Sequence, residues 1–183
     1  MNFCSLCGEK VTLKVPEGDN RERYVCLSCQ EIHYQNPNIV AGVLPTWQDS
    51  ILLCKRAIEP KYGLWTLPAG FMENGESIEE AARREALEEA SIEVEDVQLY
   101  LLVSLPHINQ VYMMFRGEMS SEYAKPGLET LETQLYKKNQ IPWENLAFDV
   151  IKITLNYFFE DKSNEMFKFR NLVYYRDRII KQC

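Results

Sequence analysis

Between Gly75 and Ser91 the chain reads GESIEEAARREALEEAS, with glutamates where a helix of a soluble protein ordinarily places apolar side chains. Ser77 followed three residues later by Glu80 has the form of a capping box, and neither proline nor glycine interrupts Ile78 to Ala90, so the stretch reads as a helix. At about 100° per residue, Ile78, Ala81 and Ala82 share one side; Glu85, Glu88 and Glu89 fall on that same arc, whereas Glu79, Glu80, Arg83 and Arg84 point elsewhere. A solvated face explains the second group well and the first poorly. Spacing at i, i+3 and i+4 makes the three carboxylates neighbours, and at an effective dielectric near 20 two charges roughly 6 Å apart repel by about 3 kcal/mol. Something positive belongs among them. Arg84 is one candidate, as an ion-pair partner that orients a carboxylate. A hard divalent cation is the other, since Mg²⁺ prefers a few carboxylates plus waters and substrate phosphates.

A second constellation precedes it. Four of the six cysteines form Cys4-x2-Cys7 and Cys26-x2-Cys29, eighteen residues apart, inside the spacing of a zinc ribbon. Two disulfides are the competing reading, and nothing else in the chain points to an oxidising compartment. The motif offers no open coordination position, so the Zn²⁺ is expected to be structural and to supply much of the folding energy of so small a unit. Cys54, in the apolar run ILLCKR, reads as core, and Cys183 stands alone.

The elements that must hold these groups follow from the patterning. The chain has 183 residues, enough for a main domain of ordinary size plus an appendage. Residues 1–34 read as the ribbon and 35–183 as the main domain. In the latter, NIVAGVLPTW and SILLCKRA read as strands, LWTLPAGF as strand and turn, and VQLYLLVSL and QVYMMFRGEM as further strands. KPGLETLETQLYKK leads through a loop into another strand. Leu146, Val150, Ile153 and Tyr157 recur at helical spacing and read as a core stripe. The last stretch, MFKFRNLVYYRDRIIKQC, is a candidate extension of the sheet. The N-terminus MNFCSLCGEK lacks the apolar region of a signal peptide, and no apolar run is long enough to span a bilayer, so a cytoplasmic protein without a membrane partner is expected. A net charge of −7 argues against wholesale binding to a nucleic-acid backbone, and an anionic substrate would need a metal bridge.

From Gly70 to Ile92 the chain closely resembles the Nudix box: Gly70, Glu76, Arg84, Glu85, Glu88, Glu89 and Ile92 match its pattern. Ala86 departs from it, small where a larger aliphatic is usual, and so does Ser91, where the family has a glycine suited to a left-handed helix end. With the ribbon in front, the chain resembles the zinc-ribbon Nudix hydrolases. HYQNPNIVAGVL, GLWTLPAGFMENGES and LETLETQLYKKNQIPWENLAF are similar to the plant-type FAD and ADP-ribose pyrophosphatases. The marker that NADH pyrophosphatases carry after the box is not matched by SLPHINQVYMMF.

The resemblance implies an α/β Nudix fold, a mixed β-sheet sandwiched between helices. It implies that Glu85 and Glu89, with Glu88 as a further ligand and the Gly70 carbonyl completing the site, bind Mg²⁺ or Mn²⁺, and that Arg84 holds a glutamate in place. Glu76 either favours the helix dipole or supports the metal site through Arg84 or water. A catalytic base outside the box falls to Glu132 or Glu129, with Glu132 preferred for its distance from Leu135 and Tyr136. Tyr112, Phe115, Tyr136 and Phe148 are aromatic candidates for a base-binding face, none of them singled out. The expected activity is hydrolysis of a nucleoside diphosphate linked to another moiety, FAD or ADP-ribose, giving AMP and a second phosphate. NADH or nucleoside triphosphate hydrolysis, RNA decapping and a non-catalytic binding module are the alternatives. Pairing of two chains as a homodimer is left open.

Overall fold

The computed structural model describes residues 1–175 and 178–182, so Cys183 lies outside the described residues. Two compact units emerge, 1–37 and 38 onward. The first is a small antiparallel sheet in which β2 (Arg23–Cys26) lies between β1 (Val11–Lys14) and β3 (Ile32–His33). Its interior is thin: Cys4, Val25, Cys26 and His33 are buried, while Phe3, Leu6, Leu13, Val15 and Leu27 are exposed.

The second unit is built on one mixed sheet. Its strands are β4 (Asn38–Trp47), β5 (Ser50–Arg56), β6 (Trp65–Thr66), β7 (Ala69–Phe71), β8 (Val94–Leu105), β9 (Gln110–Met119), β10 (Thr130–Tyr136), β11 (Arg170–Tyr175) and β12 (Arg178–Gln182). The main order is β10-β5-β4-β9-β8-β11-β12, with β6 added beside β5 and β7 beside β4. β4 runs parallel to β9 and β8 parallel to β11, and the remaining pairs are antiparallel. The closing stretch does extend the sheet.

Side chains alternate across a strand, so the apolar runs of β4 and β5 feed two cores. Ala41, Val43, Leu52 and Cys54 face the helix α1 (Ile78–Ala90), and Leu44, Ile51 and Leu53 face α2 (Asp149–Ser163). A mixed sheet between two helices is the expected Nudix layering. α1 approaches through alanines, with Ala81, Ala82, Ala86 and Ala90 all at 0% exposure. The small Ala86 therefore sits in a close helix–sheet contact. On α2 the buried stripe is Val150, Ile151, Thr154, Leu155 and Phe158, while Ile153 and Tyr157 of the expected stripe are only partly buried. No described helix is long and apolar enough to cross a membrane.

Candidate active site

Both ends of α1 are fixed by local chemistry. Ser77 accepts a hydrogen bond from the Glu80 N–H, and the Glu80 carboxylate accepts one from the Ser77 N–H at 2.7 Å, which completes the capping box. At the other end Ser91 adopts φ 54° and ψ 37°, the left-handed conformation in which glycine is the usual residue.

Along the helix the glutamates divide. Glu85 and Glu89 are both only 8% exposed. Glu88, expected on the same arc, points out: its side chain is 58% exposed and accepts from Arg84 at 3.0 Å. The buried arc runs through Ala81, Ala82, Glu85, Ala86, Glu89 and Ala90, with Ile78 packed against the same core and Glu88 just beyond the arc's edge.

Arg84 organises the entrance. Its guanidinium donates to both Glu76 oxygens at 3.0 and 2.8 Å, to Glu85 at 2.7 Å, to Glu88 at 3.0 Å and to the Phe71 carbonyl at 3.1 Å. This forked pairing, with a bond from the Glu73 N–H, holds the Glu76 carboxyl down at about 2. Glu76 thus pairs with Arg84, the same guanidinium that reaches Glu85.

The guanidinium leaves the inner carboxylates undercompensated. Burial raises Glu85 above its ordinary range, against the pull of Arg84. Burial and the charge of Glu85 push Glu89 up to about 8, and among the described residues the buried Glu89 Oε2 has no hydrogen-bond partner. Gly70, on β7, lies against this pair: a Cβ there would meet the Glu85 carboxylate and displace it from its present position. Two buried carboxylates, one with a free oxygen and the other packed against Gly70, are the oxygen donors a hard divalent cation takes. A Mg²⁺ or Mn²⁺ ion therefore fits these residues. Arg84 and the cation are complementary, one holding the rim and the other suited to the interior.

Two further charged groups, Glu129 and Arg56, act on this pair, whereas Glu132 does not. Glu129, just before β10, is close enough for its charge to raise both Glu85 and Glu89. Glu132 instead stands directly opposite Lys55 in the β10–β5 ladder and pairs with it at 3.3 Å, half exposed. Burial raises both Glu89 and Tyr112, and the charge of Arg56, at the end of β5, partly opposes the rise in each; its guanidinium lies 5.1 Å over the Phe148 ring. Of the aromatic candidates, Tyr112 and Phe148 thus lie near a cation at the site. Phe115 is buried in the α1-side core, and Tyr136 packs edge-on against Trp65.

In the first unit the sulfur atoms of Cys4, Cys7, Cys26 and Cys29 lie within 4.8 Å of one another, with separations of 3.6 Å for Cys4–Cys29 and 3.4 Å for Cys7–Cys26. Tetrahedral Zn–S bonds of about 2.3 Å set sulfurs about 3.8 Å apart, so one zinc ion fits. All four thiols are free of disulfides. Main-chain N–H groups of Leu6 and Cys29 point at the sulfurs of Cys4 and Cys26, and the buried His33 imidazole lies 3.3 Å from Cys4 Sγ.

Comparison with known proteins bears on the family of both units. A family model described as NUDIX domain matches residues 36–146, and one described as Nudix N-terminal, a zinc ribbon, matches residues 2–35. The chain belongs to the Nudix hydrolases. A Nudix hydrolase from Nitrosomonas europaea has a crystal structure that is 47% identical, with a TM-score of 0.92, covering 96% of this chain and 100% of that one. An ADP-ribose pyrophosphatase from Streptococcus suis, 19% identical with a TM-score of 0.61 over 74% of this chain and 99% of its own, shares the fold. Among curated relatives, the NAD-capped RNA hydrolase NudC of Photobacterium profundum is 30% identical over 139 residues, 75% of this chain and 50% of that protein. The chain spans about half the length of the curated relatives it matches.

Neither Arg56 nor His33 was singled out by motif reasoning on this Nudix chain. Arg56 ends the apolar run ILLCKR, where a strand leaving the core turns its last polar residue toward the strand ends. His33 follows the second cysteine pair by four residues, close enough to have been weighed as a zinc neighbour.

Proposed function

We propose that the chain hydrolyses the diphosphate bridge of a nucleoside diphosphate linked to another moiety, using Mg²⁺ or Mn²⁺ bound at Glu85 and Glu89. The single observation that carries this reading is the unpartnered, buried Oε2 of Glu89 beside the buried Glu85 carboxylate. When bound, the ion supplies Lewis-acid polarisation of the phosphates and lowers the pKa of an attacking water. The side chains do the rest. Arg84 fixes the Glu85 oxygen that faces it, Glu88 closes the outer side of Arg84, and the missing side chain of Gly70 leaves space for the Glu85 carboxylate. Glu129 is the loop carboxylate best placed to complete the cation site or to take the proton of the attacking water. Arg56 offers its charge to a substrate phosphate and Phe148 and Tyr112 offer ring faces nearby. The ribbon holds one structural zinc through Cys4, Cys7, Cys26 and Cys29.

FAD or ADP-ribose is the preferred substrate, on the similarity of the flanking segments to plant-type pyrophosphatases and the absence of an NADH-type marker in SLPHINQVYMMF. A second reading rests on the relatives called NAD-capped RNA hydrolases: an NAD group, free or at an RNA end, would occupy the same place. The acidic balance of the chain favours the free dinucleotide. Side-by-side rates on FAD, ADP-ribose, NADH and an NAD-capped oligonucleotide, with products identified, test this. AMP release fastest from FAD or ADP-ribose is expected, and a clear preference for NADH or the capped RNA would overturn the substrate assignment.

A further inference from the structure

The helix that carries the buried carboxylates ends against a loop. The last carbonyls of an α-helix have no partner within it. Here the Ser91 and Ile92 N–H groups return to Leu87 and Ala86, and the last two carbonyls are taken from outside: the Gly127 N–H donates to Glu89 O at 3.0 Å and the Lys125 N–H to Ala90 O at 2.8 Å. The same loop is held on its far side, where the Ala57 N–H, at the exit of β5, donates to Glu129 O at 2.8 Å. Glu129 is therefore strung between the end of α1 and the end of β5. The tip side chain adds no grip, since Leu128 is fully exposed.

Only a residue without a side chain permits this docking. Gly127 is not in the left-handed region, so its backbone is one that any residue adopts. A Cβ at this position would instead lie on the Glu88 carbonyl oxygen and 3.3 Å from Glu89 Cα, both main-chain atoms that cannot swing aside. Adding one methyl group must push the loop off the helix or tilt the last turn, which is the turn that bears Glu88 and Glu89.

We propose that Gly127 is a positioning residue: its close approach fastens the loop main chain to the end of α1 and so holds Glu129 at the Glu85–Glu89 pair, making one cation site from helix and loop. The inference rests on the reading that this pair binds a divalent cation. Mn²⁺ binding, followed by the electron-spin signal of the free ion, is measured on the native chain, Gly127→Ala, Glu129→Gln, the double variant and Leu128→Ala. Each of the first two single changes is expected to weaken binding by about tenfold, the scale of a lost supporting interaction. The double variant should bind no more weakly than either, because Gly127 acts through Glu129, and Leu128→Ala should bind as the native chain does. Native affinity in Gly127→Ala, or a loss that adds to that of Glu129→Gln, would overturn the proposal even though the native chain binds Mn²⁺. A native chain that binds no Mn²⁺ would remove the cation reading itself, and this proposal with it. Because Gly127→Ala could fail to fold, hydrogen exchange on the native chain provides the second measurement. Mg²⁺ should slow exchange in residues 120–129 together with the last turn of α1, and exchange there indifferent to Mg²⁺ would contradict the clasp.

Discussion

Glu89 is buried beside Glu85 with one oxygen unpartnered. Its neighbours show how narrowly position decides a role. Glu132, three residues beyond Glu129, spends its charge on Lys55 across the ladder at half exposure, a pair of the kind that contributes about 0–1 kcal/mol. Glu132→Gln is therefore expected to leave kcat within about twofold of native and to change stability by less than about 0.5 kcal/mol, read by steady-state kinetics and melting. A hundredfold loss of kcat would instead make Glu132 the base. Sequence spacing could not separate the two, because β10 carries a bulge between Thr130 and Glu132, which shifts the alternation of the strand by one residue. Glu88 was hidden for a similar reason. At about 100° per residue it lies only about 20° beyond Ala81, at the edge of the buried arc, where spacing alone does not separate a buried from an exposed side chain.

At the scale of elements, most of the architecture was legible because its signals are local. The capping box, the alternating apolar runs and the glycine-like end at Ser91 each act within a few residues. Ser91 holds a left-handed conformation that costs a non-glycine residue about 1 kcal/mol, partly offset by the smaller freedom of serine in the unfolded chain. Ser91→Gly should raise stability by about 0.5 kcal/mol without altering turnover, and a lower melting temperature would contradict the cap assignment. What was not legible is the long-range joint between α2 and β11. Asp161, 2% exposed, accepts from Arg170 at 2.6 and 2.7 Å and from the buried Tyr100 hydroxyl at 2.7 Å. Arg170, then Tyr100, hold its carboxyl at about 2, below the ordinary 3.8. A depressed carboxyl stabilises the fold above its unfolded pKa and loses that contribution as pH falls from about 4 to about 2. Asp161→Asn is expected to lose about 2 kcal/mol at neutral pH and to show a flatter decline of melting temperature between pH 4 and pH 2 than the native chain. Parallel declines would show that the pair contributes nothing.

The whole molecule joins a four-cysteine ribbon to a unit with two cores of its own. Few buried residues support the first unit, whereas both sheet faces of the second are covered. Removing zinc with a thiol-selective chelator should therefore release one ion per chain and raise hydrogen exchange across residues 1–37 while residues 38 onward keep their protection. Ordered exchange in a zinc-free ribbon would contradict the structural role of the four cysteines. The central claim, that the buried carboxylates of α1 exist to hold a catalytic cation, is tested most directly by Glu89→Gln, which keeps the shape of the side chain and removes one charge. Metal-free melting temperature and kcat at saturating Mg²⁺ are measured on one preparation. Relief of repulsion against Glu85 should leave the melting temperature unchanged or slightly raised, while loss of about 4 kcal/mol of transition-state stabilisation slows turnover about a thousandfold. A variant that melts early yet turns over at the native rate would make Glu89 a structural residue and contradict the account.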